Sequence, residues 1–113
     1  MPAELNGYPG PLHVLELAAQ LKLSPEQALQ TKKLFTEMES HAKAAGEEVI
    51  AAEAALDALF RDKKATVENL SAAVKAAALA HGALRETHLR YHLAMMQVLS
   101  VDRVAMYNKL RGY

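Results

Sequence analysis

Two rows of apolar residues, each stepping by three and four positions, constrain this chain more than any other feature. The first is Phe35, Met38, Ala42, Ala45, Val49, Ala52, Leu56 and Leu59. The second is Leu70, Val74, Ala77, His81, Leu84, His88, Tyr91, Met95 and Val98. A three-four step places every member on one face of an α-helix, and two such helices joined by a short polar segment zip into an antiparallel pair with coiled-coil-like packing. The segment Arg61-Asp62-Lys63-Lys64-Ala65 supplies that connection.

Start and stop signals agree with the rows. Ser24 suits an N-cap, Pro25 the first helical position, and Gln27 completes a capping box. From Pro25 the helical pattern runs without proline to about Asp62, roughly 55 Å of helix. Thr66 caps the next helix, which runs to about Leu99; Ser100 caps a last short helix, and Gly112 fits its end. Asn6-Gly7 and Pro9-Gly10-Pro11 mark residues 1–10 as an irregular lead-in. Pro11 then opens a short helix over Leu12 to about Leu21, with Leu12, Leu15 and Ala19 on one face and Leu17 and Leu21 adjoining. The expected architecture is all-α: a long antiparallel helical hairpin with short N- and C-terminal helices, four helices in all. It occupies residues 11–113 as a single domain.

Alanine supplies much of the 51% hydrophobic content, and aromatics only 5%. That favours closely approaching helices over a thick core. The second helix also carries another row, Leu79, Gly82, Leu89, Leu93 and Met96. One partner helix cannot cover both rows, so the terminal helices or a second subunit must, and a homodimer is the expected assembly.

Charge excludes several functions. Thirteen basic residues balance thirteen acidic ones, which argues against a nucleic-acid binder driven by phosphate neutralisation and against a polybasic membrane anchor. No apolar run is long enough to span a bilayer. Cysteine is absent, removing thiol catalysis, disulfides and cysteine-zinc sites. There is no Gly-rich phosphate loop and no nucleophile elbow. Ser24 and Ser100 are accounted for as caps, Ser71 by helix-start chemistry, and Glu47, Glu48 and Glu53 as the solvated side of a helix. The chain is not expected to be an enzyme.

Several residues suggest metal chemistry. His88 and His92 stand at i and i+4, and Met95 and Met96 extend that face. Two imidazoles and a thioether suit copper, nickel, cobalt or zinc. With a turn centred near residue 64, His41 lies opposite about residue 87 and Glu37 opposite about residue 91, so Glu37, His41, His88, His92 and Met95 are expected to converge between the helices. The alternative is a row of core and boundary residues, with the methionines as filler. A pH-sensitive contact between His41 and His88 is a further option. Leu89, Leu93, Met96 and Val98 are candidates for a client or partner surface, or for the dimer interface.

Two short segments carry a family resemblance. Leu23-Ser24-Pro25-Glu26-Gln27 resembles the Leu-Thr-x-x-Gln motif that recurs twice in Spy/CpxP-like periplasmic proteins, and Leu99-Ser100-Val101-Asp102-Arg103 resembles a degenerate second copy, with Arg103 in place of the glutamine. Read locally, the two are simply a pair of N-caps. The stretch His88 to Met95, with Leu99 and Tyr107 beyond it, is similar to the matching part of the related cobalt–nickel resistance sensors. The likeness covers roughly residues 12–110.

It implies a four-helix hairpin protomer, an intertwined homodimer and a periplasmic place. It also implies work as an ATP-independent chaperone of unfolded clients, an envelope-stress modulator with a membrane-bound regulator, or a metal-responsive sensor. The chain departs from the sensors where Tyr91 stands in the place of a histidine four residues before Met95. It departs again after His13, which resembles a sensor ligand but has Leu17 four residues later. Met1-Pro2-Ala3 opens on a polar stretch with no leader-like segment. The chain is thus either cytoplasmic or, as the resemblance implies, stripped of an export signal.

Overall fold

The computed structural model describes residues 2–113 and contains five helices: α1 (Pro2–Leu5), α2 (Pro11–Glu16), α3 (Pro25–Arg61), α4 (Val67–Met95) and α5 (Val101–Arg111). No strand occurs among the described residues. The two long helices pack against each other as an antiparallel hairpin, and no helix is long and apolar enough to cross a membrane.

The helix starts are set by side chains that satisfy the orphan amides of the first turn. At α3 the Gln27 N–H donates to Ser24 Oγ and the Ser24 N–H to Gln27 Oε1, each at 3.0 Å. That reciprocal pair is the capping box read from the sequence. Thr66 and Asn69 repeat it at α4, with Asn69 N–H to Thr66 Oγ1 at 3.1 Å and Thr66 N–H to Asn69 Oδ1 at 2.6 Å. Ser100 caps α5 through the Arg103 N–H.

Three helical stretches end in the same way. Leu23 N–H reaches Ala18 O, Lys64 N–H reaches Leu59 O, and Tyr113 N–H reaches Asn108 O. In each case the residue before the donor is left-handed: Lys22 at φ 53°, Lys63 at φ 55° and Gly112 at φ 83°. Glycine takes that conformation freely and lysine does not. Lys63→Gly is therefore expected to stabilise the protein by about 0.5–1 kcal/mol, measured by chemical denaturation.

Two boundaries differ from the sequence expectation. Residues 17–22 do not continue α2 but wind on through turn hydrogen bonds, closing at Lys22. Residues 96–99 leave α4 in a tightened turn, with Met96, Gln97 and Val98 each donating three residues back. The lead-in is more ordered than its turn-forming residues suggested. Pro2–Leu5 makes one helical turn, and Glu4, Pro9 and Gly10 are buried. The extra helix takes the count to five, against four expected.

The contacts divide the chain into two compact units. A terminal unit holds residues up to Glu39 together with His88–Tyr113, and a hairpin unit holds Ser40–Thr87. The terminal unit has a true core of Val14, Leu21, Met95, Leu99 and Tyr107, with Leu17, Leu23, Leu34, Val98, Val104 and Met106 packed around it. The Gln27 side chain donates to Val98 O at 3.2 Å, fixing the start of α3 to the chain that leaves α4.

In the hairpin unit the first row behaves as expected: Ala42, Ala45, Val49, Ala52, Leu56 and Leu59 are all half-buried. The α4 row needs a correction. Leu70, Ala77 and Leu84 face inward, but between them Ala73, Ala80 and Thr87 are covered, while Val74, His81 and His88 are exposed. One position along a helix is a rotation of 100°, so the same heptad spacing can select either neighbour. Here the smaller residue takes the seam, which lets the two backbones approach, and the larger one lies on the flank. On that flank His81 Nε2 meets Glu53 Oε1 of α3 at 2.9 Å.

Candidate functional site

The hairpin unit buries little. Ala77 and Thr87 are its only buried residues among those described. Two helices in contact cover one stripe of each and leave the remaining circumference to water. Ile50 is 69% exposed, Phe60 58%, Val67 81% and Leu79 76%. These side chains stand among charges: Ile50 lies between Glu47-Glu48 and Glu53, and Leu79 between Lys75 and Arg85. Exposed alanines at 44, 51, 54, 55, 72, 76, 78 and 83 extend the apolar surface.

The terminal unit holds a second feature, built around a buried carboxylate. Glu4 is 3% exposed. Tyr107 O–H donates to both of its oxygens, at 2.8 and 2.7 Å, and the Gly10 N–H donates to Oε1 at 3.1 Å. Burial pushes the Tyr107 phenol well above its usual range, and the adjoining Glu4 adds to the shift. His92, also buried, lies against the same place. Its Nδ1 is 2.7 Å from the Tyr8 carbonyl oxygen, which can only accept, so Nδ1 carries a proton and donates to it. A Cβ on Gly10 would fall 2.8 Å from His92 Cε1 and 3.2 Å from Nε2. Glycine is what allows the imidazole to come this close. A cavity of about 180 Å³ opens beside Glu4 and His92, walled by Pro11, Leu12 and Met38, with His13 and His88 at its edge.

The expected metal ligands fall in several different surroundings. His88 and His92 line that cavity together, and His13, the lesser candidate, joins them. Met95 does not: it is wholly buried in the core with Val14, Leu21, Leu99 and Tyr107. Glu37 lines a separate groove with Leu34, Ala94 and Val98. His41 is an exposed residue of the hairpin unit, and Met96 is half-buried. Among the described residues no three histidine, aspartate or glutamate side chains converge so as to hold a metal ion.

The expected partner surface is also divided. Leu93 is 60% exposed. Leu89 is half-buried and shares a shallow groove with Pro2, Ala3, Tyr8 and Leu93. Val98 packs onto the core, and Met96 is half-buried. The sequence reading missed Glu4, Tyr8, Gly10 and the bond from Glu4 to Tyr107. The Pro9-Gly10-Pro11 run was the only local sign, since these contacts join residues 84 and 103 positions apart.

No family model, no curated protein and no solved structure matches this chain.

Proposed function

We propose that this chain is a non-enzymatic binding protein that holds unfolded or partly folded polypeptides on its helical hairpin without consuming ATP. The observation that carries the reading is the surface of residues 40–87, where Ile50, Phe60, Val67 and Leu79 stand open to solvent among charged neighbours. Apolar side chains spread along a rod give many weak contacts, and the charges between them keep the free protein in solution and limit how tightly any one client is held. The resemblance of the two Leu-Ser helix starts and of the His88–Met95 stretch to Spy/CpxP-like proteins agrees with this reading. It adds the periplasm as the proposed place of action and a homodimer as the proposed assembly. Metal sensing is the weaker reading, because Met95, its expected thioether ligand, is spent in the core.

The test is aggregation of a reduced, unfolded client followed by light scattering without nucleotide. The chain is expected to suppress aggregation at near-stoichiometric ratios. An Ile50→Ser/Leu79→Ser variant is expected to lose most of that activity while melting at the same temperature, since both side chains are mostly exposed. Equal suppression by the variant, or none by the native chain, contradicts the proposal.

A further inference from the structure

Gly46 and Gly82 lie inside α3 and α4, where nothing around them calls for glycine. Neither has a positive φ, and a Cβ built on either meets nothing within 4 Å. Backbone conformation and close packing, the two usual reasons for a helical glycine, therefore do not apply. The cost of glycine is not offset: it holds a helix less firmly than alanine by a factor of about five in local stability. The stretches on either side are rich in alanine, so each glycine is a weak point in an otherwise firm rod. The two weak points coincide. Gly46 and Gly82 are equally far from residue 64, the centre of the connection between α3 and α4, roughly 27 Å along each helix. The register that this implies is seen at Leu34 and Ala94, also equally far from residue 64, which line one groove.

We infer that the Gly46–Gly82 level is a hinge, at which both helices of the hairpin loosen together and let residues 47–81 bend as an arm. Bending one helix of a packed pair strains the other unless it yields at the same place, and here both members are weakened in one cross-section. The Glu53–His81 contact at 2.9 Å lies on the arm side of the glycines and ties the two helices of the arm together. The arm carries every large apolar side chain that the hairpin unit exposes among its described residues: Ile50, Phe60, Val67, Val74 and Leu79. A surface that changes curvature fits client segments of different shapes. That use of the hinge rests on the function proposed above; the hinge itself does not.

Amide hydrogen exchange of the ¹⁵N-labelled full chain, followed by NMR with no client present, tests the hinge independently of client binding. With rates corrected for intrinsic exchange, residues 46–50 and 82–86 are expected to exchange faster than residues 53–57 and 74–78, which lie nearer the connection. Simple fraying gives the opposite order, with protection falling steadily towards residue 64. Gly46→Ala is expected to slow exchange about fivefold in its own turn and in residues 82–86 as well. Gly82→Ala is expected to do the same in reverse, and the double variant to slow both turns about 25-fold. Each substitution places a methyl group in open space, so the fold is retained. Lys63→Gly, which stabilises the connection instead, is expected to leave both turns unchanged. A steady fall in protection towards the connection, slowing confined to the substituted helix, or equal slowing by Lys63→Gly would each overturn the inference.

Discussion

Tyr107→Ala is expected to lower the unfolding free energy by about 3–5 kcal/mol, the range for deleting a buried aromatic ring, because Tyr107 is fully covered at the centre of the terminal unit. Tyr107→Phe separates packing from polarity. It keeps the ring and removes only the hydroxyl that Glu4 shares between its two oxygens, which leaves the buried carboxyl under-satisfied at a cost of about 1–3 kcal/mol. Glu4→Met in the Tyr107→Phe background removes both polar partners, so the double variant is expected to be more stable than the sum of the two single losses. Urea denaturation of the four proteins measures the coupling, and additivity would show that the bond does not hold the lead-in.

The same bond has a signature in alkali. A phenol ionises near pH 10 in an unfolded chain, and the folded protein holds Tyr107 protonated well above that. The stability from this group is complete below pH 10 and is lost as pH rises from there towards the raised folded value. Absorbance at 295 nm should show one of the four tyrosines resisting ionisation until the chain unfolds, and that resistant fraction should be missing in Tyr107→Phe.

The second large effect lies at Met95. Met95→Ala is expected to cost about 2–5 kcal/mol, since the side chain has no exposed surface and touches the centre of the core. His88→Ala, at an exposed position, is expected to change stability by less than about 0.5 kcal/mol. The two residues lie seven positions apart on α4 and were expected to serve as ligands together. A large loss at one and almost none at the other, measured by thermal unfolding without added metal, distinguishes a core residue from a member of a binding site.

The hairpin was legible because its determinants are local or periodic. Ser24-Pro25-Glu26-Gln27, Thr66, Ser100 and Gly112 act within a few residues, and each cap is found where the sequence placed it. The first apolar row is also found as read. In α4 the spacing left a choice between neighbours at every second seam position, and side-chain size made it: Ala73, Ala80 and Thr87 go in, while Val74, His81 and His88 stay out. That choice puts His81 and His88 on the flank, where His88 lines a cavity with His92, while Met95 keeps its seam position and enters the core.

The Glu4 cluster left only the Pro9-Gly10-Pro11 run as a local sign. Its residues lie in a segment that reads as turns, and its partners sit at the other end of the chain. A buried glutamate gives no periodic signal, and the glycine that admits His92 resembles any turn glycine.

The account as a whole depends on clients meeting the hairpin rather than the terminal unit. Photocrosslinking decides this directly, with a benzophenone side chain placed at Ile50, at Leu79 or, as control, at Lys109, all exposed positions, in the presence of an unfolded client. Strong adducts at 50 and 79 with little at 109 are predicted; adducts confined to 109, or equal at all three positions, would contradict it.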